Sequence, residues 1–290
     1  MESDRWGPPR DPDRRGIIPL RPLTGGEILA AGLAVLREQP RSVYALSAIV
    51  AVLGVGTDRL IVTVLQAPAS PTLANPLSLW ERLLGYAGLG FIVQTVLTTW
   101  LMAAVTAIVA DAVVGGRTTP RAAWSRILPD LPRLAGLGLT ARAVTVLVPV
   151  LGWPILSGGW ALAVPALVLE RGGVFGSLGR SWRLTRSALA RVWTIRTLAT
   201  GLAALATYAV RLPIELALLG NWLPSTIRPA PLVQQIPLVL DVVLATVTAP
   251  FPMAVQAVLY VDQRIRLENL AARLPGTSTD PTVRSPAPTS

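Results

Sequence analysis

The side chains that could do chemistry in this chain of 290 residues are few: 16 carboxylates, 26 basic residues that are all Arg, and no His or Cys. Without imidazole, thiol or lysine amine there is no ordinary zinc set, no thiolate nucleophile and no Schiff base. The remaining chemistry is that of carboxylates and guanidiniums. Glu170, Asp111 and Asp262 recur near the ends of apolar runs, but none has a second acidic ligand four residues away. They are therefore a poor metal site, and Asp262, with Arg264 and Arg266 beside it, reads as a surface ion pair. No cofactor or metal is expected, and no catalytic residue can be named.

Two charges lie deeper in apolar sequence. Arg142 follows Arg133 by about 13 Å of helix, which carries it toward the middle of a bilayer. Asp241, inside the last apolar run, is its candidate partner. An ionisable group at that depth costs about 2.5–3.5 kcal/mol on insertion scales, so such a pair is either structural or a place where something is bound. Asp58 with Arg59, and Arg211 with Glu215, fall near the ends of apolar runs and mark boundaries, while Arg196 is near enough to a boundary to snorkel.

These charges need elements to hold them, and composition says what kind. The chain is 52% hydrophobic and 14% charged, with a mean hydropathy of +0.54, whereas soluble domains carry about 25% charged residues. The expected fold is an all-α polytopic membrane bundle. Arg in place of Lys, with abundant Ala, Gly and Pro, suits a GC-rich bacterial genome and hence the bacterial cell membrane. The net charge of +10 does not point to nucleic acid, because the arginines flank apolar runs; the bilayer and its anionic headgroups are the expected partners.

A crossing takes roughly 20 apolar residues. Six candidates follow: residues 43–65, 83–110, 134–151, 153–169, 192–210 and 237–260. The third and fourth share a short stretch bent at "VPVLGWP" (148–154), so a re-entrant hairpin is the alternative. Residues 1–22 read as a disordered leader, 23–274 as the membrane domain and 275–290 as a disordered tail. Thr24 and Glu27 form a capping box opening a helix over 25–38, which could lie on the membrane surface or pack on the bundle. A second surface helix is expected over 174–186, with Phe175, Leu178 and Trp182 in the acyl boundary and Arg180, Arg183 and Arg186 at headgroups. Arg is concentrated in the leader, in 117–133, in 171–191 and in 264–284, so both termini should be cytoplasmic. Pro165, Pro250 and Pro252 interrupt the fourth and sixth runs.

"AVPALVLER" (163–171), "GSLGRSWRLTR" (176–186), "GIIPLRPLTGGEILAAGLAVLREQPR" (16–41) and "LYVDQRIRLENL" (259–270) together resemble the actinobacterial integral membrane proteins labelled glycerophosphoryl diester phosphodiesterase membrane-domain-like. The likeness runs from Gly16 to Leu270. It departs at Ala30 and Ala31, where relatives often carry Asp-Gly, and at Ser187, where a Gly commonly stands. The resemblance implies a multi-span architecture without a settled biochemical role. The enzyme in that label is a separate soluble barrel that depends on His and a carboxylate-bound metal. The first functional reading is thus a non-enzymatic scaffold, regulatory or accessory membrane protein with an unidentified membrane partner. The other reading is a small-molecule or ion transporter or channel subunit using the intramembrane charges and broken helices.

Overall fold

The computed structural model describes residues 22–66, 76–147, 152–219 and 231–268; the leader, the tail and most of the "VPVLGWP" bend lie outside them. Every regular element among the described residues is helical: α1 (Gly25–Glu38), α2 (Pro40–Gln66), α3 (Pro76–Val113), α4 (Pro120–Ile127), a 3-10 turn (Leu128–Asp130), α5 (Leu131–Leu147), α6 (Gly152–Gly159), α7 (Ala163–Glu170), α8 (Val174–Thr185), α9 (Leu189–Leu219), α10 (Pro231–Thr248) and α11 (Pro250–Glu268). Four stretches are long and apolar enough to cross a membrane: Pro40–Thr63, Gly88–Val113, Leu189–Leu218 and Gln235–Leu267.

Local signals place several boundaries. The Thr24 side chain accepts from the Glu27 N–H while the Glu27 carboxylate accepts from the Thr24 N–H, so the capping box opens α1. Pro40 starts α2 and Pro120 starts α4 behind the Thr119 cap, positions where a missing N–H costs nothing. α7 ends at Glu170 as expected, but the residue that turns the chain is Arg171, left-handed at φ 51°, ahead of Gly172 and Gly173.

The stretch read as a fourth crossing, 153–169, is not one helix. It breaks at Trp160–Leu162 into α6 and α7. Pro165 is not the cause, since it falls in the first turn of α7, where proline is tolerated. The expected sixth crossing is also two segments, parted at Ala249 just before Pro250. Pro213 and Pro237 lie inside α9 and α10 without ending them.

Burial divides the molecule. A continuous core joins Ile28 and Val35 of α1, Leu101 to Ala112 of α3, Leu134 and Leu137 of α5, Leu167 of α7 and Ala254 to Tyr260 of α11. Elsewhere α2, α9 and α10 expose large apolar side chains, among them Leu53, Leu60, Leu205, Leu216 and Val239. α1 settles against α11 and not on an open face, and Ile28, Val35 and Leu36 are buried there. The two helices nearly touch at Gly32, where an added Cβ would stand 2.7 Å from Val255 Cγ2 and 3.2 Å from the Val255 backbone nitrogen.

A rotamer change could move Val255 Cγ2 aside but not its backbone nitrogen and Cα, at 3.2 and 3.3 Å. Gly32→Val should destabilise the detergent-solubilised protein by about 1–3 kcal/mol through overpacking. Gly26→Ala, with nothing within 4 Å of the new carbon, should leave the unfolding midpoint unchanged or slightly raised.

Candidate functional site

The densest polar chemistry gathers at the packed end, on three carboxylates. Asp262 of α11 has no solvent exposure. Its Oδ1 accepts from the Leu23 N–H at 2.8 Å, and its Oδ2 accepts from Arg191 Nη1 at 3.0 Å and Arg266 Nε at 2.9 Å. The same two guanidiniums donate to the Leu23 carbonyl, at 2.5 and 2.6 Å. Both backbone groups of Leu23 are thereby held by one buried carboxylate and two arginines from α9 and α11. The expected surface ion pair is therefore corrected: Arg266 pairs as the i, i+4 spacing allows, but the carboxylate is buried because α1, α9 and α11 close around it. Arg264 turns to Glu170 instead. Arg191, read only as a loop charge, is the residue that sequence reasoning missed.

Glu170 ties the end of α7 to its neighbours. Arg180 Nε lies 3.0 and 2.9 Å from its two oxygens, Tyr260 donates its hydroxyl at 2.5 Å, and Arg264 stands 3.9 Å away with its guanidinium 5.8 Å from the centre of the Tyr260 ring. Asp111, at the end of α3, accepts from Arg126 at 2.9 and 3.0 Å and from the Thr118 hydroxyl. Gln39 joins α1 to the same turn, donating to the Gly116 carbonyl at 3.1 Å and accepting from the Thr118 N–H at 3.0 Å. Among the described residues no group of three or more acidic side chains could hold a metal ion. A carboxylate that already accepts three hydrogen bonds with no open face, as Asp262 does, cannot reach a substrate proton.

α8 explains the break between α6 and α7. Ser181 donates to the Gly159 carbonyl at 2.7 Å and accepts from the Leu162 N–H at 3.1 Å, and Thr185 donates to the same carbonyl at 3.1 Å. The backbone groups freed by the break are thus re-paired by a neighbouring helix. Of the stripe expected in the acyl boundary, Leu178 and Trp182 face the protein and Phe175 is exposed. Leu178 is buried with Ser177, Ser181, Leu184 and Thr185, and Trp182 covers Gly159 so closely that a Cβ there would lie 2.3 Å from its ring. Of the five residues expected at the interface, Arg180 is engaged by Glu170, Trp182 packs inward, and Phe175, Arg183 and Arg186 are exposed.

The expected pair of Arg142 with Asp241 is also corrected. α10 packs on α2 and α9 while α5 packs on α3, α7 and α8, so the two side chains belong to different neighbourhoods. Asp241 lies 3.1 Å from Arg211 Nη1, whose Nε meets Glu215 at 2.6 Å. The Arg142 guanidinium stands 6.0 Å from the centre of the Phe91 ring. Asp58 accepts from Gln94 Nε2 at 2.8 Å, and Arg196 donates to the Ser157 carbonyl in place of snorkelling.

Removing Asp262 strands two guanidiniums beside a buried peptide. Asp262→Ala should cost about 3–5 kcal/mol of stability, read by unfolding in detergent, whereas Asp130→Ala, which breaks the exposed Asp130–Arg133 pair, should cost about 1 kcal/mol or less. In double-mutant cycles Arg211→Leu with Asp241→Leu should couple by more than about 0.5 kcal/mol, and Arg142→Leu with Asp241→Leu should be additive within that figure.

No protein-family model, no curated protein and no solved structure matches this chain.

Proposed function

We propose that the chain is a multi-pass integral protein of the bacterial cell membrane with a non-enzymatic scaffold or accessory role, its arginine-rich packed end in the cytoplasm. The observation that carries this reading is the spacing of polar anchors along the long helices. Roughly 30 Å of helix separates Arg191 from Arg211 on α9, and about 26 Å separates Gln94 from Asp111 on α3. Those lengths match a hydrocarbon core about 30 Å thick. The exposed apolar side chains of α2, α9 and α10 suit lipid between the anchors.

At the packed end the carboxylates Asp111, Glu170 and Asp262 are consumed in holding helices together. Arg117, Arg121, Arg133, Arg171, Arg183 and Arg186 are exposed. That imbalance favours the cytoplasmic side by the positive-inside tendency and suits anionic headgroups or an acidic partner surface. Phe175 beside Arg183 and Arg186 fits the same boundary. α5 with α6 and α7 makes the third and fourth of six crossings in this reading, each near the lower limit of length. Likeness to the membrane-domain family named above is consistent with this role and adds no activity.

Reporter fusions at 115–119, at 172–173 and after Arg273 should read cytoplasmic, and fusions at 68–74 and 222–229 external; an external reading at 172–173 overturns the orientation. The chain has no native Cys, so Val148→Cys gives a clean probe of the hairpin. Labelling of that thiol by an impermeant maleimide from outside is expected for two full crossings, while protection converts the segment to a re-entrant hairpin and leaves the other loops as assigned.

A further inference from the structure

An open cleft of about 400 Å³ lies between the start of α5 and the end of α7, walled by Pro129, Asp130, Pro132, Arg133 and Arg171. Small-ligand sites run from roughly 300 to 1,000 Å³, so a headgroup-sized molecule fits. The polar wall consists of two guanidiniums and one carboxylate. Asp130 Oδ1 accepts from Arg133 Nη1 at 3.0 Å, so these two charges offset one another, while Oδ2 keeps its capacity to accept. Arg171 has no ion pair or side-chain hydrogen bond among the described residues. The cleft therefore presents one uncompensated positive charge.

Arg171 also holds a backbone conformation that arginine disfavours. At φ 51° and ψ 32° it ends α7 in the left-handed region, and among the described residues no other non-glycine has a positive φ. Glycine is the usual occupant of that position, because a Cβ is strained there. Two glycines follow immediately, yet the residue that turns the chain is a long cation whose side chain makes no bond within the fold. Strain kept at an unpaired charge beside a cleft points to a ligand. The flanks of the cleft are apolar: Leu128, just before Pro129, is 52% exposed, and Phe175, four residues beyond Arg171, is 79% exposed. Charge between exposed apolar side chains suits an amphiphile better than a soluble anion.

We propose that this cleft seats the headgroup of a monoanionic, hydroxyl-bearing phospholipid, its phosphodiester on Arg171 and the free N–H groups of Arg133 and a headgroup hydroxyl on Asp130 Oδ2. One phosphodiester carries one negative charge, which matches the one cation left over. Guanidiniums suit phosphate because their N–H donors meet its oxygens in pairs. A phosphomonoester would bring a second negative charge toward Asp130. A choline headgroup would bring a cation without N–H donors to an end where Arg183 and Arg186 are also exposed. The inference rests on the membrane reading above and narrows its diffuse headgroup attraction to one site.

The test uses the full chain in neutral detergent, followed by the fluorescence of its nine Trp during heating, with phosphatidylglycerol or phosphatidylcholine added to the micelles. Phosphatidylglycerol should raise the melting temperature saturably, by roughly 5–10 °C at 100 times the dissociation constant, and phosphatidylcholine should not. Arg171→Gly should move the midpoint at least roughly tenfold to higher lipid. Without lipid the same variant should melt at or above the wild type, because glycine relieves the left-handed residue. Arg37→Gln, which removes an exposed charge from the last turn of α1, should leave the midpoint in place. Equal losses in the two variants overturn the cleft and leave only diffuse attraction. A lower melting temperature for lipid-free Arg171→Gly shows that the fold uses the side chain and overturns the site too, as does the absence of a difference between the two lipids. A saturable increment from inorganic phosphate at constant ionic strength overturns the lipid and gives the cleft to a soluble anion. Threading is judged separately, since an external reporter at 172–173 removes the cytoplasmic setting without altering binding in detergent.

Discussion

A carboxylate withdrawn from water must be neutralised and hydrogen-bonded at once, and Asp262 meets that requirement with groups drawn from three remote parts of the chain. Leu23 comes from the segment before α1, Arg191 from the start of α9 and Arg266 from the next turn of α11. Loss of any one leaves either a buried charge or an unpaired peptide, each costly in a medium of low dielectric. The packed end follows from this constraint. With Leu23 held, α1 is laid along α11, and the close approach at Gly32 and Val255 is the packing that results. Glu170 then fixes α7 and α8 to α11 through Arg180 and Tyr260.

What was legible in the sequence was whatever depends on neighbours along the chain. The capping box of Thr24 and Glu27, the end of α7 at Glu170 and the long apolar helices were all readable because local hydrogen bonding and side-chain hydropathy determine them. What was not legible depends on which helix stands beside which. Arg142 and Asp241 have suitable charges and depths, yet the order of helices around the bundle gives Asp241 to Arg211. Hydropathy is blind to that order. The inward packing of Leu178 and Trp182 was hidden for a related reason: periodicity reveals that they share a face, but a protein interior and lipid tails are equally apolar, and only the Gly159 gap shows which of them receives Trp182. The burial of Asp262 had a faint signal, an Asp and an Arg one turn apart in "VDQRIR" after a long apolar run, which pointed to a pair without saying that the pair was enclosed.

The two regions of the bundle use different packing chemistry. From Leu101 to Ala110, α3 is buried on all sides, and five of those ten residues are Ala or Thr. Small side chains let helix backbones approach closely, where dispersion and polar pairing do the work. Along α9, Leu198, Leu202, Leu205 and Leu216 stay exposed and gain little from neighbouring helices. Burial therefore concentrates at the end where the arginines are.

The mending of the α6–α7 break by Ser181 and Thr185 bears on how the chain is made. A ribosome delivers Gly159 and Leu162 before it delivers the hydroxyls that pair with them. During that interval the nascent α6–α7 segment carries a free carbonyl and a free amide, and it cannot settle as a finished unit away from water. Its commitment waits on the emergence of α8, so the α6–α7 segment stays unfinished until about one more helix has been translated. The order of synthesis is thereby written into the order of folding, with α8 acting on the segment that precedes it.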